Sequence, residues 1–245
     1  MNAGVLAFGD SITNGGGELQ WGVALQSWAL WTARGLGLPY TGHAVDGARA
    51  RGVVDEQIPA FERRTALPGA RYDVGCLYIG VNDVRAEDWD PRRFAADHAT
   101  ATDFLRARCD RVLLVTLPRD LGRPRARGVD EANEIILAAG ETTLDLRGFG
   151  ARNLVMTDHV HPTAFGQVWI AERALQALRM DVKAWPSTLI APHEGSPLRR
   201  LQGDWTYVYR TLKRLSGDSA RRAARAAAGR SGSPGTAAAR TPEAP

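Results

Sequence analysis

Short apolar runs alternate with longer helix-compatible stretches along most of this chain, and that alternation predicts an α/β protein. Two observations narrow the class. The runs are short and continuous, as strands buried on both faces of a parallel sheet are. The stretches between them are long enough to cross back as helices. The expectation is a doubly wound, flavodoxin-like three-layer α/β/α sandwich with a five-stranded parallel sheet of order 2-1-3-4-5, followed by a C-terminal helix and a disordered tail.

Each element has its own signal. Val5–Phe8 reads as the first strand and Trp21–Leu36 as the first helix. Thr41–Val45 is the second strand, with a helix over Val53–Arg63 after it. Val74–Ile79 is the third strand; the next helix starts at Pro91, where a first-turn proline costs no hydrogen bond, and runs to Arg106. Arg111–Thr116 is β-branched and continuous, the clearest strand of all. A helix over Val129–Ala139, a short strand at Thr143–Leu146 and a helix over Ala164–Leu178 complete the domain, placed at residues 1–178.

Beyond Leu178 the pattern changes. Residues 179–216 are Pro-punctuated at first; then Trp205, Val208, Tyr209 and Leu212 fall at i, i+3, i+4 and i+7, one face of a helix. The simpler expectation is that this helix packs back on the domain through those side chains. The sharper one is a basic amphipathic helix in weak contact with an anionic surface. Residues 217–245, rich in Ala, Arg, Gly, Ser and Pro, read as a disordered basic tail.

Composition excludes several function classes. Of 245 residues, 44% are apolar and 24% charged, ordinary for a globular protein, and no apolar run suggests a membrane span. The net charge of +4 belongs to the tail: residues 179–245 hold 12 Lys or Arg against 5 Asp or Glu, and residues 1–178 hold 19 against 22. A nucleic-acid partner needs a basic face on the folded domain, and none is expected here. Cys76 and Cys109 lie in or near buried segments and read as free thiols; with no signal-peptide pattern at Met1–Gly4, the expected location is cytoplasmic.

Ligands of a doubly wound sheet bind at the carboxyl ends of its strands. After the first strand comes Gly9-Asp10-Ser11, then Gly15–Gly17; after the second, Asp46-Gly47; after the third, Gly80-Val81-Asn82-Asp83; before the last helix, Asp158-His159-Val160-His161. One edge thus collects the parts of an acyl-transfer site. Serine needs a base to become a nucleophile at neutral pH, and imidazole suits that task. His161 is the candidate base for Ser11, with Asp158 fixing its tautomer. The backbone N–H groups of Ser11 and Gly47 and the Asn82 amide are candidate donors to a developing oxyanion.

At these residues the sequence resembles the SGNH/GDSL hydrolase family, GDSL-type serine esterases and lipases. Gly9-Asp10-Ser11 matches the first marker block, Ala44-Val45-Asp46-Gly47 looks like the second, Gly80-Val81-Asn82-Asp83 matches the third and Asp158-His159-Val160-His161 the fifth. Where the family often has Asn five residues before the second block's glycine, this chain has Gly42. The resemblance spans residues 5 to about 178. It implies metal-free hydrolysis of a small-molecule ester or thioester, with no cofactor. A non-catalytic ligand or partner binder on the same fold, or an acyltransferase, is the alternative.

Other residues have competing readings. Gly15–Gly17 fits no phosphate-loop pattern and reads as a flexible rim beside Ser11. His159 with His161 and Asp158 makes too thin a set for a metal, so none is expected. Arg119 opens an Arg-rich loop after the fourth strand and is a candidate contact for an anionic part of the substrate. Trp28 and Trp31 read as core, and Trp21, nearest the Gly run, as a candidate acyl-pocket wall.

Overall fold

A computed structural model describes residues 2–17, 23–64, 69–121, 126, 128–150, 153–156 and 158–190, together with Leu198, Leu201, Trp205, Val208, Tyr209, Leu212, Lys213 and Ser216. The strands β1 (Val5–Gly9), β2 (Tyr40–Gly42), β3 (Tyr72–Tyr78), β4 (Cys109–Val115) and β5 (Thr142–Leu144) form one all-parallel sheet in the order β2-β1-β3-β4-β5. Class, strand count and order are those the alternation predicts. β1 is buried at every residue, because helices cover both faces of the sheet.

Successive side chains of a strand point to opposite faces, so neighbouring residues on β1 and β3 serve different layers. Phe8 meets Phe61 and Phe104 edge-on in one layer, while Tyr78 meets Trp28 in the other. Trp28 and Trp31 are core, as expected, and Trp21 lies outside the described residues. Cys76 and Cys109 are free and buried; burial pushes both thiols up, Cys109 to about 12, which suppresses thiolate chemistry.

The elements differ from expectation mainly at their ends. Helix α1 is Trp28–Leu36 and begins seven residues later than predicted, where Ser27 caps it by accepting from the Ala29 N–H at 3.2 Å. The second strand ends at Gly42 by ladder geometry, yet the His43 and Val45 N–H groups continue bonding to the Ala7 and Gly9 carbonyls of β1. The helix predicted over Val53–Arg63 starts earlier, as α2 (Ala50–Gly52), passes through a π-helical stretch at Val53–Gln57, and continues as α3 (Ile58–Arg64). A four-residue helix, α4 (Val81–Val84), follows β3. Helix α5 is Pro91–Arg108, with Asp90 capping the Arg92 and Arg93 N–H groups; α6 is Val129–Ala138 and α7 Ala164–Leu178.

The segment after α7 returns across α1. The Lys183 and Ala184 N–H groups donate to Gly35 O, and a short 3-10 turn at Pro186–Leu189 packs on α7 and α1. That return corrects the simpler expectation for the C-terminal helix. Trp205, Val208, Tyr209 and Leu212 are helical but exposed, and do not pack on the domain. Residues 183–189 are the part of this segment that packs on α1 and α7. Residues 217–245 lie outside the described residues.

Candidate active site

The end of β1 is built to present Ser11. Gly9 has φ +157, and a Cβ there would sit 2.5 Å from both Thr13 Oγ1 and the Tyr78 carbonyl, so no side chain fits. The buried Asp10 carboxylate accepts from the Ile12 N–H at 2.9 Å and closes the turn that carries Ser11. Gln57, buried at the end of the π-helical stretch, clasps Gly9 with both ends of its amide: Oε1 accepts from Gly9 N at 3.0 Å and Nε2 donates to Gly9 O at 2.7 Å.

The Gly run differs in character from the flexible rim expected of it. Gly16 N donates to Ser11 O at 2.6 Å, and a Cβ on Gly17 would stand 2.4 Å from the Pro162 carbonyl. Those glycines let the backbone pack tightly between the Ser11 turn and the loop that bears His161. Gln167 of α7 locks the same junction: it accepts from Trp28 N at 2.8 Å and donates to Ile12 O at 3.0 Å and Gly16 O at 3.2 Å.

The loop before α7 folds back on itself. Met156 N donates to His161 O, Thr163 N donates to Leu154 O, and Thr163 caps α7 by accepting from the Gly166 N–H. His159 takes a left-handed φ of +60 at the apex and points its exposed ring toward Asp120, 3.5 Å away. Asp158 then reaches three groups at once. Oδ1 accepts from Val160 N at 2.9 Å and His161 N at 3.0 Å, and Oδ2 faces His161 Nδ1 at 2.7 Å. Partial burial raises the Asp158 carboxyl, but the bonds from the His161 ring and the two N–H groups outweigh it and hold the group at about 2.

A carboxylate that stays ionised can only accept, so the proton of the His161–Asp158 contact resides on Nδ1. In the neutral imidazole Nε2 then carries a lone pair, and it lies 2.8 Å from Ser11 Oγ. The hydroxyl donates to that lone pair, giving a continuous Ser11–His161–Asp158 chain assembled from residues 150 positions apart.

The other predicted donors adjoin this chain through the loop after β2. Asn14 Nδ2 donates to Asp46 Oδ1 at 2.9 Å, which ties that loop to the Ser11 turn. Gly47 is exposed with φ +76, and a Cβ there would meet nothing within 4 Å. Asn82, on α4, donates from Nδ2 to Ala48 O at 2.9 Å, and Asp83 accepts from Ala50 N with both oxygens, at 3.1 and 3.2 Å. Burial pushes the Asp83 carboxyl up to about 6, with the Ala50 N–H opposing. Asp10 is more extreme: burial lifts it to about 7 against the pull of the Ile12 N–H and the His161 ring, and its Oδ2 has no hydrogen-bond partner among the described residues.

Arg119 stands apart. Its side chain is exposed and pairs with Asp130 at 3.0 Å, although its neighbour Asp120 faces His159. Arg123, Arg125 and Arg127 lie outside the described residues. Among the described residues, no group of three or more His, Cys, Asp or Glu side chains converges on a metal position.

Gln57 and Gln167 are the positioning residues that motif reading missed. Both occupy the apolar phase of their helices, Gln57 beside Val53, Ile58 and Phe61, and Gln167 beside Ala164, Val168 and Ala171. A polar residue in that phase is the signal that could have found them, since a buried amide needs partners.

Residues 7–169 match the model of the GDSL-like Lipase/Acylhydrolase family. No curated protein matches the chain. Among solved structures, a catalytic mutant of Axe2, an acetylxylan esterase from Geobacillus stearothermophilus, is similar with a TM-score of 0.56 and 17% identity, over 75% of this chain and 99% of that one. An alpha/beta hydrolase enzyme from the metagenome of Lake Arreo, Spain, is similar with a TM-score of 0.55 and 17% identity, over 71% of this chain and 94% of that one. At that identity the two structures speak for the fold.

Proposed function

The chain belongs to the GDSL-like lipase/acylhydrolase family, and from that premise we propose that it hydrolyses carboxylic esters by a metal-independent serine mechanism. The observation that carries the proposal is the hydrogen-bonded chain from Ser11 Oγ through His161 to Asp158, at 2.8 and 2.7 Å.

Ser11 Oγ attacks the ester carbonyl carbon while its proton passes to His161 Nε2. Asp158, ionised throughout, stabilises the imidazolium that forms. The carbonyl oxygen takes up the displaced electron pair, and its charge meets the backbone N–H groups of Ser11 and Gly47 and the amide of Asn82. Asn82 has two amide hydrogens and spends one on Ala48 O, so the second is available to the oxyanion. Collapse expels the alkoxide, which takes the proton from His161, and leaves an acyl-Ser11 ester. Water then repeats the sequence: His161 removes its proton, and Ser11 leaves as the alcohol.

The test is a series of nitrophenyl esters of rising acyl length, run with the wild type and Ser11→Ala. Hydrolysis by the wild type, lower by at least about a thousandfold in the variant, is expected. Equal rates, or no hydrolysis of any ester by the folded wild type, would overturn the proposal. Rates that fall from acetate to butyrate would define a short-acyl esterase; a rise toward octanoate would define a lipase-like one.

A further inference from the structure

Among the described residues, most of the exposed large apolar side chains fall in one stretch of sequence. Six of the ten exposed large hydrophobic side chains among the described residues are Leu198, Leu201, Trp205, Val208, Tyr209 and Leu212, with Leu198 77% and Trp205 72% exposed. All six are helical. Leu198, Leu201, Trp205, Val208 and Leu212 follow one another at steps of three, four, three and four residues, which brings them to a single seam on a helix. The domain does not take this seam, whose side chains stay exposed.

Charge decides what does. From Leu198 to Leu215 the sequence holds Arg199, Arg200, Arg210, Lys213 and Arg214 against Asp204 alone, and Lys213 is exposed. A helix that combines a Leu and Trp stripe with an otherwise cationic sequence lies in the headgroup plane of an anionic bilayer, its stripe in the acyl boundary and its cations on phosphate. Trp205 and Tyr209, apolar bodies with polar tips, suit that boundary. A second copy of the helix fits less well. The positions that flank such a seam hold Gln202, Asp204, Tyr209 and Thr211, which supply no opposite-charge pairs to specify a zipper. A nucleic-acid backbone would satisfy the cations but leave the stripe in water.

We propose that the helix bearing Leu198, Trp205 and Leu212 is an interfacial anchor that docks this protein on the surface of an anionic phospholipid bilayer. The anchor lies on the surface and does not cross it; no helix among the described residues is long and apolar enough to span a membrane. The proposal is independent of the chemistry at Ser11.

Vesicle flotation of the full chain tests it, using phosphatidylcholine vesicles with and without phosphatidylglycerol. The wild type is expected to float with the anionic vesicles and not with the zwitterionic ones, and to lose binding as salt is raised. A Trp205→Ser, Leu212→Ser double variant is expected to lose about tenfold or more of that binding while its thermal melt is unchanged. Lys213→Glu is expected to weaken it less. Failure of the wild type to float, or equal flotation of the double variant, overturns the anchor. So does a concentration-dependent dimer in light scattering that the double variant abolishes, because the stripe would then be covered by a second copy.

Discussion

Two stretches at the same sheet edge are held by different physics. Where β1 ends, buried amides clasp the backbone: Gln57 takes both polar groups of Gly9, and Gln167 binds Ile12, Gly16 and Trp28 at once. Where β4 ends, Asn133 clasps Leu117 in the same way, but beyond it the backbone is held by single hydrogen bonds, such as the one Arg119 N donates to Arg147 O at 3.2 Å. The Arg119 side chain is held by an exposed ion pair with Asp130. A strand that ends in dry surroundings leaves N–H and C=O groups without sheet partners, and an amide side chain supplies a donor and an acceptor together. Beyond Pro118 the chain surfaces, and the exposed Arg119 side chain needs no such device. Geometry at the Ser11 end is therefore expected to be costly to disturb, and geometry at the Arg119 end cheap.

The largest expected effect follows from removing a clasp. Gln167→Leu strands the Trp28 N–H and the Ile12 carbonyl in the interior, and the Gly16 carbonyl beside them. Each buried group left unsatisfied costs about 1–3 kcal/mol, so a loss of about 3 kcal/mol or more in unfolding free energy is expected from denaturant titration. Gln167 also ties the Ser11 turn to the helix that follows His161. In the variant kcat is expected to fall by about tenfold or more, with KM for the ester little changed, because a displaced nucleophile loses its alignment with the base. Unchanged stability would break the contrast between the two ends; lost stability with unchanged kcat would confine Gln167 to folding.

Asp10 gives a smaller effect with a definite sign. An unfolded aspartate ionises near 3.9, whereas burial holds the Asp10 proton to about 7. Across that window the folded state keeps a proton that the unfolded state has released, so this group's contribution to stability falls as pH rises. Asp10→Asn preserves the acceptor for the Ile12 N–H and cannot ionise. Thermal melts at about pH 5 and about pH 8 are expected to show the variant gaining on the wild type at the higher pH, by an amount on the order of a few kcal/mol. Parallel curves for the two proteins would show that Asp10 has an ordinary ionisation.

The same contrast explains what could be read from the sequence. Strand count follows from the alternation of apolar runs with helix-compatible stretches, and the order is that of the flavodoxin-like doubly wound class the alternation points to. Ser11, Asn82, Asp158 and His161 could be singled out because each stands just after a strand or just before a helix, where a reacting group must sit. The start of α1 could not, since Trp21–Leu25 is as apolar as the helix itself and only the Ser27 cap marks the boundary. Nor could the clasps. Gln57 and Gln167 act across 48 and up to 155 residues, and a one-dimensional pattern records that a glutamine is in the apolar phase without saying what it touches. The fate of the Trp205 stripe was equally hidden, because helical spacing marks an apolar face without saying whether the domain or something else covers it.

Arg119 is the smallest effect and the sharpest probe of the cheap end. Its ion pair is exposed on both sides, and such pairs contribute about 0–1 kcal/mol, so Arg119→Ala is expected to leave unfolding free energy unchanged within about 0.5 kcal/mol. Activity is the finer readout. Asp120 faces His159, two residues from His161, so the loop after β4 borders the mouth of the site. The guanidinium spends one N–H on Asp130 and has four others for an anionic group. KM for a carboxylate-bearing ester is expected to rise about fivefold in Arg119→Ala, while a neutral ester of the same acyl length is unaffected, since a solvated charge contact is worth about 1 kcal/mol. If the ratio of the two KM values is the same in both proteins, Arg119 contributes nothing to substrate selection, and the β4 end of the edge is solvated surface in function as well as in structure.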